Sequence, residues 1–204
     1  DSPYTAQFKN INAQHEMSYD DSRNEGTGKM NDELRSVHQS CPATKFILSG
    51  FSQGAVIAGD VADEIGGGQG AVPAESIAGV ALIADGRRQN GVGQNPGRKV
   101  GGVGAEIALQ PVSGLVQPIV PGASMRGARQ NGFGSLADRT FQICAPNDSV
   151  CDAPPNVTNA LERAQGLIAA NGVHAQYASN SGVIDGTTAN QWVVGWARQL
   201  IDAA

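Results

Sequence analysis

Apolar positions are sparse and aperiodic over the first 26 residues, where Tyr4, Phe8 and Tyr19 stand among polar neighbours. Leu34 and Val37 then sit one turn apart and predict a short helix over 30–39, ending before Cys41-Pro42. The run 45–49 (Lys-Phe-Ile-Leu-Ser) predicts a strand. From 53 to 65 the period changes: Val56, Ile57, Val61 and Ile65 share one helical face, and Gly66-Gly67-Gly68 stops the helix. The run 76–84 is apolar on both faces, as a strand of a parallel sheet covered by helices is. Residues 86–135 break the pattern. They are rich in Gly, Pro, Gln and Asn, with apolar islands at 100–109 and 115–120. So long a connection inside a compact domain is usually functional or mobile. Periodicity resumes with a strand over 140–145 and a helix over 155–170, with Pro155 at its start and Asn171-Gly172 at its end. A short strand or loop covers 173–178, and a terminal helix over 188–203 carries Trp192, Val193, Trp196, Leu200 and Ile201 on one face. The order β-α-β-β-α-α predicts one α/β domain over 1–204, a three-layer α/β/α sandwich on a mostly parallel sheet.

Composition narrows the function classes. A chain of 204 residues with 40% hydrophobic and 16% charged residues buries a core and is not disordered. Net charge is −5, aromatics are 5%, and basic residues run no longer than pairs such as Arg87-Arg88, so a nucleic-acid partner has no electrostatic footprint. No apolar stretch is long enough to span a bilayer.

The candidate chemistry starts at Gly50-Phe51-Ser52-Gln53-Gly54, between a predicted strand and a predicted helix. G-x-S-x-G in that context is a nucleophile elbow: the tight turn lifts the serine hydroxyl above the sheet, at the positive end of the helix. A serine nucleophile needs a base, and the base needs an orienting acid. Of the three histidines His15, His38 and His174, only His174 follows Ser52, as the order Ser, acid, His requires. The acid belongs between them at the end of a strand. Asp148 meets that condition; Asp152 and Asp85 are the alternatives, and Asp138 lies at the wrong end of its strand. Cys144 and Cys151 enclose Asp148, and a disulfide between them would clamp the turn and hold the carboxylate in place. A zinc site on the same pair needs two more ligands, and no second close pair of Cys or His supplies them. Cys41 is left over.

These segments together resemble the cutinase family of serine esterases. Cys41-Pro42 before a strand ending in Gly-Phe-Ser-Gln-Gly-Ala (50–55) is similar to that family's nucleophile segment. Cys144-Ala-Pro-Asn-Asp-Ser-Val-Cys151 resembles its Cys-x-x-x-Asp-x-x-Cys acid loop, and His174-Ala-Gln-Tyr177 its His-x-x-Tyr base segment. The strand over 80–85 resembles the one between them. Residues 101–111 and 120–126 look most like the cutinase-like lipid hydrolases of mycolic-acid bacteria. The resemblance implies an α/β-hydrolase fold with Ser52 as nucleophile, Asp148 as acid and His174 as base. It gives the backbone N–H of Gln53 to the oxyanion hole and a disulfide to Cys144 and Cys151. It implies a carboxylic ester hydrolase acting on fatty acyl esters of lipids, phospholipase or thioesterase activity included, secreted or in the cell envelope and associated with a membrane or cell-wall surface. No metal or cofactor is required. The family opens with a Cys-containing strand and a loop bearing the second oxyanion donor. Here both are expected upstream of Asp1, together with the partner of Cys41. The alternative is a non-catalytic or acyl-transferring cell-envelope protein on the same fold. The apolar islands, with Met125 and Phe133, either line an acyl groove or pack the long connection.

Overall fold

The structure is a computed structural model that describes Tyr4, residues 17–169 and residues 172–204. Its first element, α1 (Tyr19–Ser40), begins eleven residues earlier than the 30–39 helix expected from apolar periodicity. Its buried positions include Ser22, Arg23 and Gly26, which carry no hydrophobic signal. Gly26 lets α1 cross the next helix closely: a Cβ there would lie 2.6 Å from Ile57 Cδ1, and that side chain would have to shift to admit it. Ser18 caps the helix, its side chain accepting from the Asp21 N–H, and Asp20 and Asp21 complement the helix dipole.

Among the described residues three strands form the sheet: β1 (Phe46–Phe51), β2 (Ile77–Ile83) and β3 (Thr140–Ile143), in that order and all parallel. Parallel neighbours need long crossovers. The first is α2 (Gln53–Gly66). The second is the segment 84–139, which holds the short helices α3 (Ala105–Ala108) and α4 (Ser113–Val116). Leu48, Val80 and Leu82 on one sheet face pack with Ala55, Ala58 and Ala62 of α2, and α1 packs on α2. Helix α5 (Ala160–Ala169) lies against α4. The opposite sheet face receives α6 (Ala189–Asp202). A Cβ at Gly79 would lie 2.5 Å from the Trp196 ring, and Phe141 packs at 5.2 Å against Trp192. Helices thus cover both faces, and the expected three-layer α/β architecture holds.

Two local expectations change, and a third, open between strand and loop, is resolved. The helix predicted over 155–170 starts only at Ala160. Asn159 has a left-handed φ of 54°, and the Asn156 side chain accepts from the Thr158 N–H, so a turn replaces the first helical residues. Residues 173–178 take the loop alternative and not the strand, with Gly172–Ala175 a 3₁₀ turn. The strand over 140–145 ends at Ile143, and Cys144 and Ala145 already belong to the following loop.

The second crossover is held to the sheet by buried charge. Asp60 of α2 accepts from Arg87 (3.0 Å), Arg126 (2.7 Å) and Arg129 (2.9 Å). Asp85, fully buried after β2, takes both forks of Arg129. Glu106 of α3 meets Arg126 at 3.2 Å. Burial alone would raise the Asp60 carboxyl, but Arg129, Arg126 and Arg87 outweigh it and hold it below its ordinary value of 3.8. A depressed folded-state carboxyl contributes stability above the unfolded value, and that contribution is lost as pH falls through the folded value. Glu106 acts in the opposite sense: burial raises it, so its contribution is present while it is protonated and is lost as pH rises. Asp60→Asn should therefore flatten the acid limb of stability against pH, read by urea unfolding between about pH 3 and about pH 5. An unchanged acid limb would rule out this role for Asp60.

Candidate active site

The chain reverses from β1 into α2 at Ser52, which adopts φ 55° and ψ −119°. Such a backbone is strained for a residue with a Cβ. It is held by the Ser52 N–H, which donates to the Ile83 carbonyl at 2.9 Å and so ties the elbow to β2. Gly50 is obligatory, since a Cβ there would lie 2.1 Å from the Gly54 carbonyl oxygen. A Cβ at Gly54 would meet no described atom within 4 Å, so the close approach rests on the first glycine alone. The Gln53 N–H is the first of α2 and has no acceptor within the helix, which makes it a donor beside Ser52. The Gln53 side chain is buried against α1: it accepts from Ser22 Oγ at 3.0 Å and donates to the Tyr19 carbonyl at 3.2 Å.

Two loops bring the other side chains to the same end of the sheet. His174 lies on the 3₁₀ turn after α5, and its Nε2 is 3.0 Å from Ser52 Oγ. Its Nδ1 faces the Asp148 carboxylate, 3.0 Å from Oδ2 and 3.1 Å from Oδ1. Asp148 is fully buried on the loop that follows β3. Cys144 and Cys151 close that loop with a disulfide, which removes the zinc alternative. The Val150 N–H donates to Oδ1 at 2.9 Å and the Tyr177 hydroxyl donates to Oδ2 at 2.7 Å. Phe51 stacks on the His174 ring at 5.0 Å. Ser52 Oγ, the imidazole and the carboxylate thus form one hydrogen-bonded row. In that row the nitrogen facing Ser52 can take up a proton while the other is held by an anion.

The row opens into a cavity of about 410 Å³. Its wall is mostly apolar: Val56 of α2, Val120, Ala123 and Met125 of the second crossover, and Leu167 of α5. The apolar islands therefore divide. Part of them lines this cavity, while Leu109 and Val116 pack beside it and Phe133 is buried in the main core under Arg129.

The family model described as Cutinase matches residues 2–195. The chain belongs to the cutinase family. A relative described as carboxylesterase Culp6 homolog, from Corynebacterium glutamicum, is 68% identical over 200 residues, covering 98% of this chain and 65% of the relative. The chain thus spans about two thirds of the length of that curated relative, 65% of it. Among solved structures, the catalytic core domain of acetyl xylan esterase from Trichoderma reesei superposes with a TM-score of 0.53 at 19% identity, covering 82% of this chain and 76% of that one. An iodinated complex of acetyl xylan esterase gives 0.53 at 18% identity, over 98% of this chain and 80% of that one. At such identities these structures establish the α/β-hydrolase fold of this cutinase-family chain and nothing finer.

The other candidates from the sequence lie elsewhere. Asp85 is engaged by Arg129, and Asp152 accepts from the Gly102 and Asn147 N–H groups as a loop brace. Asp138 is exposed just before β3, and His38 is on α1. His15 lies outside the described residues. Cys41 is a free, exposed thiol at the end of α1. Sequence reasoning missed the contacts of Phe51 and Tyr177 with the His–Asp pair. Both residues stand inside the elbow and base motifs, but one sequence carries no signal for which way a ring turns. It also missed Glu106, which lines the cavity; Arg87, Arg126 and Glu106 are separated by too many residues for their pairing to be visible.

Proposed function

We propose that this cutinase-family chain is a serine carboxylic ester hydrolase acting through an acyl-enzyme. The observation that carries the reading is the row Ser52 Oγ, His174, Asp148, with 3.0 Å at both of its junctions, at the mouth of an apolar cavity. His174 Nε2 takes the Ser52 proton as Oγ attacks the ester carbonyl carbon. The tetrahedral oxyanion accepts from the Gln53 N–H. The leaving alcohol takes the proton from His174 as the C–O bond breaks, and the acyl group stays on Ser52. Water, deprotonated by His174, then attacks the acyl-enzyme, releasing the acid and restoring Ser52. Asp148 holds the imidazole in the tautomer that keeps Nε2 free as base and stabilises the imidazolium.

The cavity wall favours a fatty acyl chain, so lipid esters are the substrate class, with phospholipid and thioester acyl groups within its chemistry. The disulfide fits an oxidising compartment, which supports a secreted or cell-envelope location. A fluorophosphonate should label Ser52 with one equivalent bound per chain. p-Nitrophenyl esters should be hydrolysed with kcat/KM rising from acetate to medium-chain acyl groups by roughly 10-fold or more, as added methylenes are buried. Absence of labelling together with absence of turnover would reject the reading, and a preference for acetate would reject the lipid acyl chain.

A further inference from the structure

Asp148 is held by more than the imidazole it faces. A carboxylate on a loop can rotate about its last bond, and rotation would carry the histidine with it. Two donors oppose that rotation, one on each oxygen. The Val150 N–H at Oδ1 comes from the same loop and moves with it. The Tyr177 hydroxyl at Oδ2 comes from beyond the histidine, and at 2.7 Å it is the shortest of these contacts. Hydrogen bonds to an ionised acceptor are the shorter and stronger kind.

Tyr177 is itself fixed. It is buried at 3% exposure, and its oxygen accepts from the Ala145 N–H at 2.9 Å, where the chain leaves β3. Cys151 Sγ lies 3.4 Å from the same oxygen, so the disulfide packs against it. Its ring meets Phe51 edge-on at 5.7 Å, and Phe51 stacks on the other ring of the site, His174. The hydroxyl therefore refers the position of Asp148 to the end of the sheet and not to the middle of its own loop. Burial and the neighbouring Asp148 charge push the phenol well above its ordinary value of 10, against the smaller opposing pull of the Ala145 N–H. Tyr177 consequently keeps its proton, and remains a donor, at any pH at which an esterase is assayed.

We propose that Tyr177 is a positioning residue for the catalytic row: its hydroxyl locks the Asp148 carboxylate, and through it the orientation of the His174 ring. The inference rests on the reading of Ser52, His174 and Asp148 as that row. Tyr177 takes no part in proton transfer, because its oxygen reaches the carboxylate, the Ala145 N–H and Cys151.

Tyr177→Phe removes the hydroxyl and keeps the ring. Turnover of a p-nitrophenyl ester should be measured per active site titrated with a fluorophosphonate, so that any unfolded fraction is excluded. Per titrated site, kcat should fall on the order of 10- to 100-fold, the usual consequence of a small misplacement of a catalytic group, while KM stays within about 2-fold. The low-field proton resonance of His174 Nδ1–H should shift in the variant. A role confined to stability predicts unchanged kcat per titrated site and an unmoved resonance, and that result overturns the proposal. If Tyr177→Phe does not fold, site-specific 3-fluorotyrosine at position 177 keeps the ring and changes the strength of the donor; the same resonance must then shift, and an unmoved one overturns the proposal. A wild-type protein that the phosphonate does not titrate counts against the catalytic row itself. A wild type that titrates, beside a Tyr177→Phe variant that turns over equally fast, counts against Tyr177 alone.

Discussion

Ser52→Ala should lower ester hydrolysis by roughly 10⁴- to 10⁶-fold while the protein remains folded. Ser52 Oγ is the atom within hydrogen-bond reach of His174 Nε2, and without it the first bond to the substrate carbonyl cannot form. Folding does not depend on that atom. What Ser52 contributes to the fold is a backbone bond, its N–H to the Ile83 carbonyl, which alanine retains. The elbow also stores strain, since φ is 55° at a residue with a side chain. Ser52→Gly relieves this strain and should unfold at higher urea, with a gain of about 1 kcal/mol, while being as inactive as the alanine variant. Activity is read with a chromogenic ester, and stability by urea unfolding. An alanine variant that turns over esters at the wild-type rate would remove Ser52 from the mechanism. A glycine variant less stable than wild type would show that the elbow is not strained.

Arg129→Met should cost more stability than any other substitution considered so far. The Arg129 guanidinium donates to both oxygens of Asp85, at 2.6 and 3.0 Å, to Asp60 at 2.9 Å and to the Val56 carbonyl at 3.2 Å. Burial on its own would make the guanidinium easier to deprotonate, but Asp85 and Asp60 reverse this and hold the charge firmly in place. Methionine at 129 leaves the Asp85 carboxylate at zero exposure with the Arg87 N–H and the Gln142 amide as its donors among the described residues. An uncompensated buried charge of this kind costs about 3–5 kcal/mol. Arg129→Lys should rescue little of it, because one ammonium cannot reproduce the two-pronged contact. Replacing both partners, Arg129→Met with Asp85→Leu, should recover part of the loss, since no charge is then left unpaired but the Arg87 N–H and the Gln142 amide lose their acceptor. Urea midpoints of the three variants test the ordering. Equal stability of Arg129→Met and wild type would mean that water or another cation reaches Asp85.

The same contacts explain which elements are legible in the sequence. Strand β2 is apolar throughout and the buried face of helix α2 is regular, so their limits are readable to within one or two residues, even though α2 also carries Asp60, Asp63 and Glu64. Apolar periodicity covers less than half of helix α1, because its contact with α2 is made by Gly26 and by polar residues that periodicity ignores. The crossover 84–139 reads as irregular because charge pairs hold much of it to α2 and the sheet. Its anchors Arg87, Arg126 and Arg129 meet Asp60, far away in the sequence.

What can be read from the chain alone is whatever is local. The elbow is a turn of five residues, the acid loop is closed by two cysteines seven positions apart, and Ser52, Asp148 and His174 follow one another in a fixed order. Each of these is set by backbone sterics or by short-range covalent geometry, which a sequence states directly. Chain order, the end of a strand and the two enclosing cysteines already favour Asp148 over Asp152 and Asp85 as the acid; which carboxylate physically faces His174 is settled by packing. All three lie at or beyond the same end of the sheet, and the choice depends on where the Tyr177 ring, Arg129 and the Gly102 N–H stand once the chain is packed. Folding also set the wall of the cavity beside Ser52, which is built from α2, the long crossover and α5. Such a surface exists only when distant segments pack, because burial, unlike turn geometry, is a property of the whole chain.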